Sequence, residues 1–214
     1  MSVGQSRLIR WITAVSIVGG PLSFLLGGLL APPLMHMGGA ETIAANAEAD
    51  PAANTAHVIA FVAAGFLLPI GVVGLAWLAR RHAPWPATIG GLLGVLGWIP
   101  LSALTALDEL ARTMGQLPGS HGPLYDRFAY GPIMNTYLII YIVGHLLAYV
   151  LLGIALRRAR VLPAWAAWAM VASSPLTMVM FILPGNPIAV GAVAIALLVA
   201  GSVPAAITTA RQPS

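Results

Sequence analysis

The chain has 214 residues, of which 59% are hydrophobic and only 7% are charged, whereas a soluble domain carries about 25% charged residues. This composition excludes an ordinary water-soluble domain and predicts a single integral domain, residues 1–214, with the lipid bilayer as its solvent. The net charge of +4 comes without any cysteine or lysine, which excludes disulfides, thiolate metal sites and Schiff-base cofactors.

Six apolar runs follow one another along the chain, and each is close to the ~20 residues that cross a bilayer as a helix. They cover residues 8–30, 56–79, 87–107, 135–156, 162–183 and 188–207. The first run follows two arginines, but it exceeds the ~7–15 residue core of a signal peptide. The sequence therefore predicts an all-α bundle of six transmembrane helices with its first helix retained.

The arginines predict how this bundle is oriented. Two of the ten, Arg112 and Arg127, fall on one predicted side of the membrane, and the other eight fall on the opposite side. Because short cytoplasmic loops are rich in arginine, both termini are expected in the cytoplasm. The two long connections, residues 31–55 and 108–134, are then outer loops. A composition rich in Ala, Gly and Arg favours a bacterial plasma membrane.

Small residues and prolines predict how the helices pack. Gly90 and Gly94 lie four residues apart, as do Gly144 and Ala148, and such pairs allow two helix backbones to approach closely. Five of the runs contain a proline, which removes a backbone donor and favours a kink. These prolines are Pro21, Pro69, Pro100, Pro175 and Pro204.

Polar side chains recur at four-residue steps along run 135–156 and so share one helix face. An unpaired polar group costs several kcal/mol inside a bilayer, so these residues either bond to each other or line a cavity that opens outward. The sequence fits both a hydrogen-bonded network and a cavity lining. The stripe consists of Tyr137, Tyr141, His145 and Tyr149.

Two acidic residues, Asp108 and Glu109, end the third run, with Thr105 on the Asp108 face. They could supply an acid or base at the mouth of a cavity, although Arg112 is spaced to form an ordinary ion pair with either one. His57 opens the second run and is expected at the outer surface, among the residues that contact a ligand.

No cofactor or metal site is expected. A haem would need two histidines at one depth, and the intramembrane pair His57 and His145 differs by roughly 10–15 Å along the helix axes. The motifs of zinc proteases, phosphate-binding loops and serine hydrolases do not occur. The arginines are explained by membrane orientation, so no nucleic acid partner is expected.

Two classes of function fit these features, and a third remains open. The first is binding or transport of a lipophilic or amphipathic small molecule by Tyr137, Tyr141, His145, Tyr149, Thr105 and His57. The second is a membrane enzyme, an isomerase or cyclase acting on an isoprenoid-like substrate, with Asp108, Glu109 and His145 as catalytic groups. The third is an accessory subunit of a membrane complex. Oligomerisation is compatible with each.

The predicted orientation can be tested with a reporter that is active only outside the cytoplasm. Fused after Ser214, it is expected to be inactive, because the terminus should lie inside. The same reporter inserted into the loop 31–55 should be active and serves as the control. Activity of the Ser214 fusion would contradict the orientation.

Overall fold

The computed structural model describes residues 3–32, 38–183 and 188–212. Regular structure within these ranges is entirely helical, which confirms the predicted all-α class. The helices of the described residues are α1 (Val3–Leu30), α2 (Gly39–Glu48), α3 (Pro51–Ala79), α4 (Pro84–Trp98), α5 (Leu101–Gly115), α6 (Gly122–Ala129), α7 (Pro132–Ala159), α8 (Ala164–Ile182) and α9 (Ile188–Arg211).

Five segments are long and apolar enough to cross a membrane, namely α1 from Arg7, α3, α4 together with α5, α7, and α9. The length and apolar composition of these helices are consistent with a membrane protein. The apolar part of α8, Ala164–Met180, is shorter. The sixth span and the orientation of the termini therefore stay predictions.

The long helices form a closed ring. Helix α3 packs between α1 and α4, α7 between α4 and α8, and α9 between α8 and α1. Neighbours run antiparallel, and the Arg10 guanidinium donates a hydrogen bond to the Gln212 carbonyl, joining the start of α1 to the residue after α9. The eight arginines counted above lie at this end, here called the arginine-rich end. Asp108 and Glu109 lie at the opposite, acidic end.

Helices α4 and α7 make the closest backbone contact in this ring. A Cβ added to Gly97 would lie 2.3 Å from the backbone nitrogen of His145, and one added to Gly144 would lie 2.6 Å from the Gly97 Cα. Two turns earlier in α4, Gly90 also faces α7, where an added Cβ would lie 3.2 Å from the Leu152 backbone nitrogen, whereas Gly94 faces Val72 of α3 more closely than α7. Because lipid tails are as apolar as leucine, such close dispersion contact is what favours helix association in a bilayer.

Pro100 divides the third predicted run into two helices. Helix α4 ends at Trp98 and α5 begins at Leu101, because a proline has no amide hydrogen and its ring collides with the preceding turn. The other four predicted prolines are accommodated inside helices α1, α3, α8 and α9. The break leaves α5 in contact with α2, α3 and α7 at the acidic end.

The two long connections at the acidic end contain helices α2 and α6, which we call the cap. Helix α2 packs on α5 and α6. The Gly39 amide donates to Asp126 Oδ1 at 2.7 Å, and Gly122 lies against Ala40, where a Cβ would be 3.0 Å away. Where the sequence predicted only loops, two short helices therefore pack on each other, and α2 packs on α5 at this end.

Gly97→Ala tests the contact between α4 and α7. The added methyl group has no room against the α7 backbone, so the free energy of unfolding should fall by about 1–3 kcal/mol. Gly28→Ala is the matched control, because a Cβ at Gly28 meets nothing within 4 Å. Thermal unfolding in detergent should show a lower Tm for Gly97→Ala only. Equal Tm values for both variants would contradict this packing.

Candidate functional site

Helix α3 begins earlier than predicted, and this changes the surroundings of His57. The Asp50 carboxylate accepts a hydrogen bond from the Ala53 amide at 2.8 Å, and Pro51 occupies the first helical position, a favoured place for proline. His57 therefore lies in the second turn of α3, with only 1% of its surface exposed. The expectation that His57 lies at the outer surface is wrong.

His57 connects α3 to two other helices. Its Nδ1 lies 2.9 Å from the Gly27 carbonyl oxygen, which belongs to the last turn of α1, where carbonyls lack helical partners. Its Nε2 lies 3.3 Å from Asp108 Oδ2 of α5, an ion-pair contact. Glycine is needed at position 27, because a Cβ there would lie 2.3 Å from the Phe61 ring.

These contacts determine where the protons of His57 lie. A carbonyl oxygen only accepts hydrogen bonds, so Nδ1 must carry a hydrogen that it donates to Gly27. Without a further proton, the Nε2 lone pair would face a carboxylate oxygen, and two buried acceptors in contact repel each other. A single proton on either Nε2 or Oδ2 removes this repulsion. With it, the pair is either imidazolium with carboxylate or imidazole with carboxylic acid, and it is neutral in both forms.

A cavity of about 260 Å³ lies beside this pair, between α1, α3, α5, α7, α8 and α9. Its polar lining residues are His57, Asp108, Tyr141 and Thr177. All the others are apolar or glycine, among them Phe24, Phe61 and Met180. The Thr177 hydroxyl donates to the Ser173 carbonyl at 2.9 Å. The cavity is thus an apolar space with His57 and Asp108 together in one corner.

Three residues of the polar stripe of α7, Tyr141, His145 and Tyr149, are turned inward onto Trp98 of α4, which is fully buried. The Trp98 ring centroid lies 4.7 Å from that of His145, 5.6 Å from Tyr141 and 6.2 Å from Tyr149. The His145 Nδ1 bonds to the Tyr141 carbonyl of its own helix. Only Tyr141 lines the cavity. Of the two interpretations of the stripe, the lining of this cavity therefore applies to Tyr141 but not to His145 or Tyr149.

The remaining predicted site residues lie outside the cavity. Tyr137 is 39% exposed on α7, and the buried Thr105 hydroxyl donates to the Leu101 carbonyl at 2.8 Å. Glu109 pairs with Arg112 at 2.8 Å. Arg112 thus forms the ordinary ion pair with Glu109, whereas Asp108 contacts His57.

Several residues of the site carried no usable signal in the sequence. Gly27 contributes a backbone carbonyl, which no side-chain pattern reveals. Phe24 and Phe61 stack with ring centroids 5.1 Å apart, but aromatic residues in an apolar run are ordinary core residues. Trp98 did offer a hint, because tryptophan is enriched at the ends of membrane helices, and this one lies in the middle of the third predicted run.

No known protein supplies a role for these residues. The chain matches no protein-family model, and no curated protein or solved structure is detectably similar to it. Within the described ranges, no three His, Asp or Glu side chains converge in a way that could hold a metal ion. The cavity and the His57 and Asp108 pair are therefore the features from which function is inferred.

Substitutions of Asp108 test the proton arrangement. In Asp108→Asn the new amide can donate to Nε2, so the Tm should stay close to that of the unchanged protein. In Asp108→Leu the buried Nε2 loses its partner, and the free energy of unfolding should fall by about 1–3 kcal/mol. Glu109→Leu is the control, because Glu109 is 45% exposed and such pairs contribute about 0–1 kcal/mol. Equal thermal stability of the two Asp108 variants would refute the arrangement.

Proposed function

We propose that this protein binds a small amphipathic molecule inside the membrane and carries it between the cavity and the aqueous side at the acidic end. The observation that carries the proposal is the composition of the cavity wall, which is apolar except for one corner formed chiefly by His57 and Asp108. Ligand sites are commonly built this way, since apolar walls supply affinity and a few polar groups fix the orientation.

The size of the cavity limits the ligand. Its volume of about 260 Å³ lies just below the range of roughly 300–1,000 Å³ typical of small-molecule sites. A single ring with a short substituent fits such a space, whereas a whole phospholipid does not. Burial of apolar surface stabilises such a ligand by about 25 cal/mol per Å², so the apolar part supplies most of the affinity.

The proposal includes six spans, with the arginine-rich end in the cytoplasm of a bacterial cell. Helix α8 has 19 residues, which correspond to about 28 Å at 1.5 Å per residue, close to the ~30 Å hydrocarbon core. Its Ser174 hydroxyl donates to the Leu146 carbonyl of α7 at 2.8 Å. At its other side, Gly201 of α9 approaches the Ala166 carbonyl. These contacts favour α8 as a full member of the bundle.

An enzyme remains the second candidate, because an acid, an imidazole and a phenol border one apolar space. These groups are Asp108, His57 and Tyr141, and together they could move a proton on a lipophilic substrate. Neither Glu109 nor His145 lines the cavity, so the enzyme would use a different set from the one the sequence suggested. Chemical change of a bound lipophile that depends on Asp108 would favour the enzyme over the carrier.

Filling the cavity tests the proposed binding. Gly28 lines the cavity, and a Cβ there meets nothing within 4 Å, so Gly28→Leu can occupy the space without disturbing the helices. The probe is tritiated neopentylbenzene, measured by scintillation proximity on protein in nanodiscs. Its affinity should fall about tenfold or more, a change of at least about 1.4 kcal/mol, while the Tm is kept.

Gly28→Ala is the matched control and should bind the probe almost as well as the unchanged protein, because a methyl group takes up little of the cavity. Because all three proteins are measured in the same kind of nanodisc, the differences in binding between them do not include the probe that dissolves in the lipid. Equal binding by all three proteins would contradict the proposed function, as would the failure of both this probe and its cationic isostere, benzyltrimethylammonium, to bind.

A further inference from the structure

We propose that the ligand of the cavity is a small organic cation, such as a quaternary or protonated amine with an apolar body, and that its positive charge replaces the proton held between His57 and Asp108. This inference rests on the proposed function and names the class of ligand. It also makes binding an exchange, in which one cation enters the cavity and one proton leaves it.

The exchange follows from charge balance in an apolar space. Asp108 is the only acidic residue among the described residues that line the cavity, and with its proton the pair is neutral. A cation placed beside Asp108 would leave two positive charges around one carboxylate. In the protein interior, unit charges a few ångströms apart interact by about 4 kcal/mol even at an effective dielectric of ~20. Loss of the shared proton restores neutrality.

The atoms balance in this step. The bond that holds the shared proton, at Nε2 of His57 or Oδ2 of Asp108, breaks, and the proton passes to water. Asp108 offers a route, because 18% of its side chain is exposed. His57 remains as neutral imidazole with its Nδ1 hydrogen on the Gly27 carbonyl. The carboxylate then has the cation as its counter-ion.

The cavity wall suits an organic cation better than a metal ion. Phe24, Phe61 and Tyr141 all line it, and the faces of aromatic rings attract cations by about 0.5–2 kcal/mol. The Phe61 ring also lies 4.7 Å from the His57 ring, so aromatic surface reaches the polar corner. A hydrated metal ion would instead have to exchange its water for six or more oxygen ligands, which the mostly apolar lining does not offer.

Other ionisable groups around the pair are neutral or already paired. Burial raises the pKa of the Tyr125 phenol of α6, and the nearby Asp108 raises it further, so Tyr125 stays uncharged. On α5, Arg112 bonds to Glu109 and to the Thr55 hydroxyl of α3. Tyr141 is the ionisable residue that α7 presents to the cavity.

The remaining helices add no charge beside the pair. Within their described ranges, α4 and α8 contain no ionisable residue, and the arginines of α1 and α9 lie at the opposite end. In the cap, Glu41, Glu48 and Arg127 are exposed, and Asp126 accepts a hydrogen bond from the Gly39 amide. The proton between His57 and Asp108 is therefore the one that a bound cation can displace.

Two probes of the same shape test this exchange on the full chain in nanodiscs. Benzyltrimethylammonium is a permanent cation without a proton of its own, and neopentylbenzene is its uncharged carbon isostere. In weakly buffered solution, the cation should release about one proton per molecule bound, and its Kd should fall about tenfold per unit of rising pH, by linkage. The isostere should bind without proton release and without dependence on pH.

Variants identify the source of the proton. Asp108→Asn should lose binding of the cation and the proton release but keep binding of neopentylbenzene. The adjacent Glu109→Gln should behave as the unchanged protein, because Glu109 lies outside the cavity. Binding of the isostere alone, or of the cation without proton release, would overturn the exchange and leave the proposed function standing. Failure of both probes would overturn both proposals.

Discussion

The acidic end of the bundle depends on one constraint, which is that a histidine buried among apolar helices needs polar atoms beside its ring nitrogens. The Nδ1 of His57 lies against the last-turn carbonyl of Gly27, and its Nε2 lies 3.3 Å from the Asp108 carboxyl. The carbonyl can only accept, so Nδ1 carries a hydrogen and Nε2 is the nitrogen that faces the carboxyl. The same two contacts hold α1, α3 and α5 together and give the cavity its ionisable corner.

The second buried histidine shows why that constraint matters. His145 bonds through Nδ1 to the carbonyl four residues earlier in its own helix, so its orientation requires no partner from another element. Its ring is then free to pack on Trp98, with 4.7 Å between centroids. One histidine thus becomes part of an aromatic core, whereas the other is fixed between helices and faces a cavity. Tyr141 contributes to both regions.

Close helix contact separates these two regions. The approach of Gly97 to Gly144 brings α4 against α7 and encloses Trp98 between aromatic side chains. On the far side of Tyr141, α8 and α9 face α1 and α3 across the cavity. Tyr141 therefore lies between a closely packed aromatic region and a space with room for a ligand.

The sequence by itself determined the all-helical membrane class, approximate limits for the helices and the inward face of α7, because apolar length and four-residue spacing are local properties. The cap helices, the break at Pro100 and the pairing of His57 with Asp108 were decided by tertiary structure. Asp108 had a nearer potential partner in Arg112, and only the packing of α3 against α5 brought His57 to it. The role of Gly27 could not be predicted for the same reason, since a backbone carbonyl becomes part of a site only when a side chain of another helix reaches it.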